Sequence, residues 1–290
     1  MMPELPEVQT IAADLNDIVG GRVIEAALVD YPKIVAGDAA RFVELVQGSR
    51  IERVSRFGKW IRFDLDSLAV MLVHLKMTGQ FHLGPWPGAG EGQWPPHAHA
   101  AFRLSGFSGE DNTLFYKDIR KFGRLRAFDP PELAAFLDEL GLGPDPLEVS
   151  ADEFHQRVTA RKGRLKCVLL DQCTVAGLGN IYVDEGLFAA GLSPLRSAAG
   201  LSRAETDALL KETKRILNAS IKARGSTTSN YQGLKGGGGF QNSHQVYGRT
   251  NEPCPKCGAP LERSVVGGRS THHCPHCQPA VAPAPKAKKK

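Results

Sequence analysis

The earliest residues able to do chemistry are Pro3 and Glu4, in the run Met1-Met2-Pro3-Glu4-Leu5-Pro6-Glu7. Freed of the methionines, Pro3 carries a secondary amine. An α-amino group titrates at about 7.7–8.0 against about 10.4 for lysine, so a useful fraction is neutral and nucleophilic at cellular pH. Glu4 stands beside it as a proton carrier. The same residues also have a plainer use, because Pro3 and Pro6 stiffen the start of a helix, and only the rest of the chain separates the two readings. A proline inside a peptide bond is a tertiary amide and attacks nothing, so either translation starts at Met2, or both methionines are trimmed, or the chain as numbered is inactive by this route. Translation from Met2 is the expected route.

A second constellation lies near the other end. Cys254-Pro255-Lys256-Cys257 and Cys274-Pro275-His276-Cys277 are separated by sixteen residues, a spacing suited to one tetrahedral Zn²⁺ held between two knuckles. A pair of disulfides would need an oxidising compartment that nothing else supports. His272, His273 and His276 lie close enough to compete as ligands, but four thiolates are the simpler set. Such a site is closed by protein, so the expected cofactor is one structural Zn²⁺. Its work would be to stiffen a hairpin carrying Arg263 and Arg269. Cys167 and Cys173 sit in an apolar helical context and are expected in the core.

The third is Val175-Ala176-Gly177-Leu178-Gly179-Asn180-Ile181-Tyr182. Its glycines permit a tight turn that delivers Asn180 at the start of a helix, where backbone amides can bind a phosphate; a plain helix-turn-helix packing element has the same pattern.

Charge points to the partner. The 290 residues carry +5 overall, but Met1–Gln156 is net −8 and Arg157–Lys290 net +13. A basic half not balanced locally by acids suggests a polyanion, most commonly nucleic acid. No run is apolar enough for a membrane span and no secretion leader is evident, so a cytoplasmic protein is expected.

These residues need scaffolding. Val8, Ile11, Ala12, Leu15, Ile18 and Val19 share a helical face that Gly20-Gly21 ends, placing Pro3-Glu4 against a core. From Arg22 to about Phe128 short alternating runs, clearest in 60–65 and 69–75, predict an antiparallel sandwich or barrel. Residues 84–96 read as a loop. Pro130-Pro131 opens a helix through Leu140, and 141–149 reads as a linker. Helical periodicity then dominates, with Ser150-x-x-Glu153 and Ser202-x-x-Glu205 as helix starts. Residues 225–239, with four consecutive glycines, read as a linker or a mobile lid, and 279–290 as a disordered basic tail.

Together, the proline-glutamate start, the Gly177–Tyr182 motif and the four-cysteine finger resemble the formamidopyrimidine-DNA glycosylase family over Met2–Gln278. The resemblance implies an α+β fold. An N-terminal antiparallel β-sandwich with flanking helices (1–140) would be joined to a helix-two-turn-helix domain (150–240, with a lesion loop at 225–239) and a β-hairpin zinc finger (241–278), with DNA in the cleft between. It implies a bifunctional glycosylase and abasic-site lyase that excises oxidised purines from duplex DNA as a monomer, associated with the nucleoid. Pro3 would be the Schiff-base nucleophile, Glu4 the proton donor, Lys59 the donor in β-elimination and Arg269 in δ-elimination. Lys59, His74, Asn180 and Arg269 would grip phosphates, and His97, Arg120 and Lys162 match further DNA-contacting positions. Met77, Arg120 and Phe122 would fill the gap left by a flipped nucleotide. A relative that prefers oxidised pyrimidines, of the endonuclease VIII branch, is disfavoured by the long loop ahead of Phe240-Gln241. A non-catalytic zinc-finger binder would explain the charge and the cysteines but not Pro3-Glu4.

Overall fold

In the computed structural model, which describes residues 2–87, 94–227 and 233–280, α1 (Leu5–Val19) follows directly on Pro3-Glu4. Then come β1 (Ile24–Val29), α2 (Ala39–Val46), β2 (Ile51–Phe57), β3 (Trp60–Leu65), β4 (Val70–His74), β5 (Gly79–Gly84), β6 (Ala98–Leu104), β7 (Thr113–Asp118), β8 (Arg124–Phe128) and α3 (Pro130–Leu140). The eight strands form two antiparallel four-stranded sheets, ordered β1-β6-β7-β5 and β2-β3-β4-β8. Their facing side chains, among them Phe63, Val73, Phe102 and Tyr116, make one core with Val8, Ile11 and Leu15 of α1. In β3 burial alternates as a one-faced strand requires. In β4 every residue is buried, because α3 covers the outer face through Phe136 against Val70, Leu72 and Phe128.

One local feature departs from the sequence reading. α2 interrupts the expected run of strands, capped by Asp38, whose side chain accepts the N–H groups of Ala40 and Arg41. Only Phe42 and Val46 of α2 are buried, one helical repeat apart, too little periodicity to stand out in eight residues.

The C-terminal elements are α4 (Ala151–Thr159), α5 (Leu165–Leu170), α6 (Asn180–Ala190), α7 (Arg203–Lys222), β9 (Glu262–Val266) and β10 (Arg269–His273). Between α5 and α6 the chain makes two successive turns pinned by Gln172. Its amide donates to the Leu170 and Leu178 carbonyls and accepts the Gly177 N–H. Gly143, within the expected linker, packs here: its N–H donates to the Gln172 carbonyl, and a Cβ would lie 2.5 Å from the Thr174 carbonyl oxygen. α7 buries Leu209, Leu210, Thr213, Ile216 and Leu217 on one face.

The chain divides into two compact units, Met1–Gly141 with Ala219–Asn242, and Leu142–Asn218 with Ser243–Lys290. Residues 219–242 thus group with the sandwich rather than with the helices before them. The cause is polar anchoring to α1: Arg224 pairs with the buried Asp14 at 2.6 Å, and the Ser226 N–H donates to Glu7 at 2.7 Å. Part of the 225–239 loop, part of the 84–96 loop and most of the basic tail lie outside the described residues. Among those described, no helix is long and apolar enough to cross a membrane.

Candidate active site and nucleic-acid interface

Pro3 is buried and Glu4 is the N-cap of α1. The Glu4 side chain accepts the Glu7 N–H and Glu7 Oε2 accepts the Glu4 N–H at 2.9 Å, a reciprocal capping box that holds the chain start. Glu7, wholly buried, also takes the Ser226 N–H on its other oxygen. Gly225 makes the close approach possible: its φ is +83°, and a Cβ would lie 2.9 Å from the Glu7 side chain. The sequence reading left Glu7 unassigned. Its signal was the Glu4-x-x-Glu7 spacing at a helix start.

Lys59 occupies the two-residue turn between β2 and β3, where Gly58 takes a φ of +58°. It is buried. His74 ends β4 opposite Trp60, whose ring stands edge-on 4.9 Å away. Its Nδ1 accepts the Lys76 N–H at 3.0 Å, which leaves the proton on Nε2 as a donor. Burial, then the charges of Lys76 and Lys59, lower its pKa to about 3. The ring is therefore neutral at cellular pH, with the cations Lys76 and Lys59 near it.

Three side chains that the sequence reading grouped are also grouped in space. Arg120 Nη1 lies 2.8 Å from Met77 Sδ, and the Arg120 guanidinium sits 4.7 Å from the centre of the Phe122 ring. Phe122 is 47% exposed and Ile119 59%, so this loop presents apolar surface to solvent. His97 is exposed at the start of β6 with a φ of +65°.

In the second unit Asn180 is the first residue of α6, preceded by Gly179 as N-cap with no side-chain cap. Its amide donates to the Ser270 carbonyl at 2.9 Å. Arg269, next to Ser270, is exposed at the start of β10, after the Gly267-Gly268 turn with φ values of +58° and +74°. Asn180 and the Arg269 hairpin tip thus come together. Lys162 is exposed in the turn between α4 and α5. Cys173, expected in the core, is exposed, since it lies past the end of α5 in the two-turn connection. Cys167 is half-buried against the hairpin: a Cβ on Gly267 would lie 2.5 Å from its sulfur.

The sulfurs of Cys254, Cys257, Cys274 and Cys277 all lie within 4.8 Å of one another. Cys254 and Cys277 are 3.8 Å apart and Cys257 and Cys274 3.5 Å. Thiolates about 2.3 Å from a tetrahedral zinc stand about 3.8 Å apart, whereas a disulfide would bring two sulfurs to about 2.05 Å. The four thiols therefore fit Zn²⁺, and no histidine belongs to the cluster. Lys256 and Cys277 N–H groups point at cluster sulfurs, both at 3.4 Å, the support a thiolate needs.

Comparison with known proteins decides the relationship. Residues 2–125 match the formamidopyrimidine-DNA glycosylase N-terminal domain, 141–232 its H2TH domain and 251–280 the zinc finger found in FPG and IleRS. The chain belongs to the formamidopyrimidine-DNA glycosylase family. The Bacillus licheniformis formamidopyrimidine-DNA glycosylase is 41% identical over 96% of this chain and 99% of that protein. Among solved structures, a Lactococcus lactis FPG variant in complex with Fapy-dG containing DNA superposes with a TM-score of 0.87, at 32% identity over 96% of this chain and all of that one. The Thermus thermophilus MutM (FPG) protein gives 0.84, at 38% identity over 97% of this chain and all of that one.

Within this glycosylase fold, the first unit holds Pro3, Glu4, Lys59, His74, Met77, His97, Arg120 and Phe122, and the second holds Lys162, Asn180, Arg269 and the four cysteines. The residues the sequence reading missed, Glu7 and Asp118, are acids whose role is to accept backbone N–H groups. Spacing at the helix start marks Glu7, but neither composition nor spacing marks Asp118.

Proposed function

We propose that this chain, a DNA glycosylase of base-excision repair with abasic-site lyase activity, works on oxidised purines in duplex DNA through a Schiff base at Pro3. The nitrogen of Pro3, as a free amine, attacks C1′ of the lesion nucleotide. The N-glycosidic bond breaks with its electron pair leaving on the base, Glu4 protonates the opening sugar, and an iminium joins Pro3 to C1′. Loss of a C2′ proton then expels the 3′ phosphate, and loss of a C4′ proton the 5′ phosphate, with Lys59 and Arg269 as the respective donors. The neutral His74 donates Nε2–H to a backbone phosphate beside Lys59; Asn180 and Lys162 contact the backbone from the helical unit, and His97 from the sandwich. One chain carries every residue named here, and the protein acts as a monomer on the nucleoid.

The observation that carries this reading is the Met77–Arg120–Phe122 cluster. Taking a base out of the stack costs a few kcal/mol, and an exposed apolar wedge backed by a guanidinium is what fills the space left behind. Zinc supplies no chemistry, because four thiolates close its site.

Borohydride should trap a covalent adduct between lesion duplex and protein that begins at Pro3, with the label on the Pro3 peptide. A label on an internal lysine peptide would defeat the proline assignment, and the absence of any adduct would leave only DNA binding.

A further inference from the structure

Three loops carry the gap-filling residues Met77, Arg120 and Phe122 and the backbone contact His97, and all three meet at Asp118, two of them at its buried carboxylate and the His97 loop at its backbone N–H. Asp118, fully buried at the end of β7, accepts the Arg120 N–H on Oδ1 at 3.2 Å and the Gly123 N–H on Oδ2 at 2.6 Å. Oδ1 also takes the hydroxyl proton of Thr78, the residue after Met77. Thr78 Oγ in turn accepts the Arg120 N–H at 3.2 Å. The Asp118 backbone N–H donates to the His97 carbonyl at 2.9 Å, and its carbonyl accepts the Lys121 N–H at 3.2 Å. Each loop contains a non-glycine residue in the left-handed region: Lys76 at +50°, His97 at +65° and Lys121 at +58°. Such residues persist only where the surroundings over-determine them.

We propose that Asp118 and Thr78 are positioning residues that lock the Met77, His97 and Arg120–Phe122 loops into one rigid probing surface, so that base extrusion, rather than the chemistry at Pro3, depends on them. The inference rests on the gap-filling role given to Met77, Arg120 and Phe122. Neither Asp118 nor Thr78 reaches solvent enough to meet DNA itself. Their effect passes through the loops: with the brace intact, Met77 and Arg120 move as a unit, and the entropy of ordering them has already been spent before the duplex arrives.

The test uses the full-length protein with Thr78→Val, which keeps shape and removes the hydroxyl, Thr78→Ser, which restores it, and Asp118→Asn. Single-turnover excision from a lesion duplex is compared with borohydride trapping on a duplex carrying a preformed abasic site, where no base has to be extruded. Thr78→Val should slow excision about tenfold, as loss of a hydrogen bond to a charged group implies, with abasic-site trapping changed less than about twofold. Thr78→Ser should recover the wild-type rate, and Asp118→Asn should slow excision further if it folds. Unchanged excision in Thr78→Val, or an equal loss of both reactions, would overturn the proposal. Met77→Ala keeps the two readings apart: if it excises normally, the gap-filling role fails first.

Discussion

Lys166 and Asp184 meet wholly out of solvent, with Nζ and Oδ1 2.7 Å apart and both side chains 0% exposed. The pair joins α5 and α6 to the zinc hairpin: Lys166 Nζ also donates to the Ser270 carbonyl at 2.8 Å, and Asp184 Oδ2 accepts the His272 N–H at 2.9 Å. Two backbone groups of β10, on either side of Thr271, are thereby fixed just behind Arg269. Replacing Lys166 by Met leaves a buried carboxylate unpaired, which should cost about 3–5 kcal/mol in denaturant titrations. Lys166→Met with Asp184→Leu should recover much of it. If the single variant is as stable as wild type, the pair is not buried in solution.

Arg269 stands exposed at the tip that this clamp holds. Arg269→Ala should weaken duplex binding and lower the slope of log K against log salt by about one phosphate contact. Its abasic-site product should stop after β-elimination. An unchanged salt slope would place the side chain away from the DNA backbone.

His74 binds protons less readily in the folded protein than in the unfolded chain, with a pKa lowered to about 3 from 6.5. Its share of stability is present above pH 6.5 and is lost as pH falls toward 3, because the unfolded chain then takes up the proton first. His244, lowered by burial to about 4, acts in the same direction. Melting temperatures between pH 7 and pH 4.5 should therefore fall less steeply in His74→Gln than in wild type. A parallel pair of curves would mean that His74 titrates normally.

Tyr116 is buried, and its hydroxyl has no hydrogen-bond partner among the described residues. It lies under Gly123, where a Cβ would come within 1.7 Å of Oη. Gly123→Ala should be destabilising, and Tyr116→Phe should relieve much of the cost, a coupling that a double-mutant cycle reads directly. Additive effects would show that the hydroxyl is not the obstacle.

Zinc holds the hairpin but not the sandwich. Cys257→Ser or strong chelation should abolish binding to lesion duplex while the sandwich stays folded. A small abasic aldehyde at high concentration should still be trapped on Pro3. Normal cutting of duplex by zinc-free protein would remove the hairpin from DNA binding. Loss of trapping with the small aldehyde, while the sandwich stays folded, would instead bring zinc close to the chemistry.

What the sequence determined by itself were the groups whose chemistry is carried by residue type and short spacing. The proline next to Glu4, the Cys-x-x-Cys pairs sixteen residues apart and the turn ahead of Asn180 are local, so the chain order contains them. The helical face from Val8 to Val19 was legible for the same reason: a period of 3.6 is written in neighbouring residues. The tertiary structure decided which buried polar groups meet across the chain. Glu7 reaches Ser226 across 219 positions, Asp118 reaches Thr78 across 40, and Lys166 reaches Ser270 across 104. Each of these bonds satisfies a buried polar group whose partner is chosen by packing rather than by distance along the chain. The same rule gathered residues 219–242 with the sandwich, since Asp14 and Glu7 of α1 needed the partners that this segment brings.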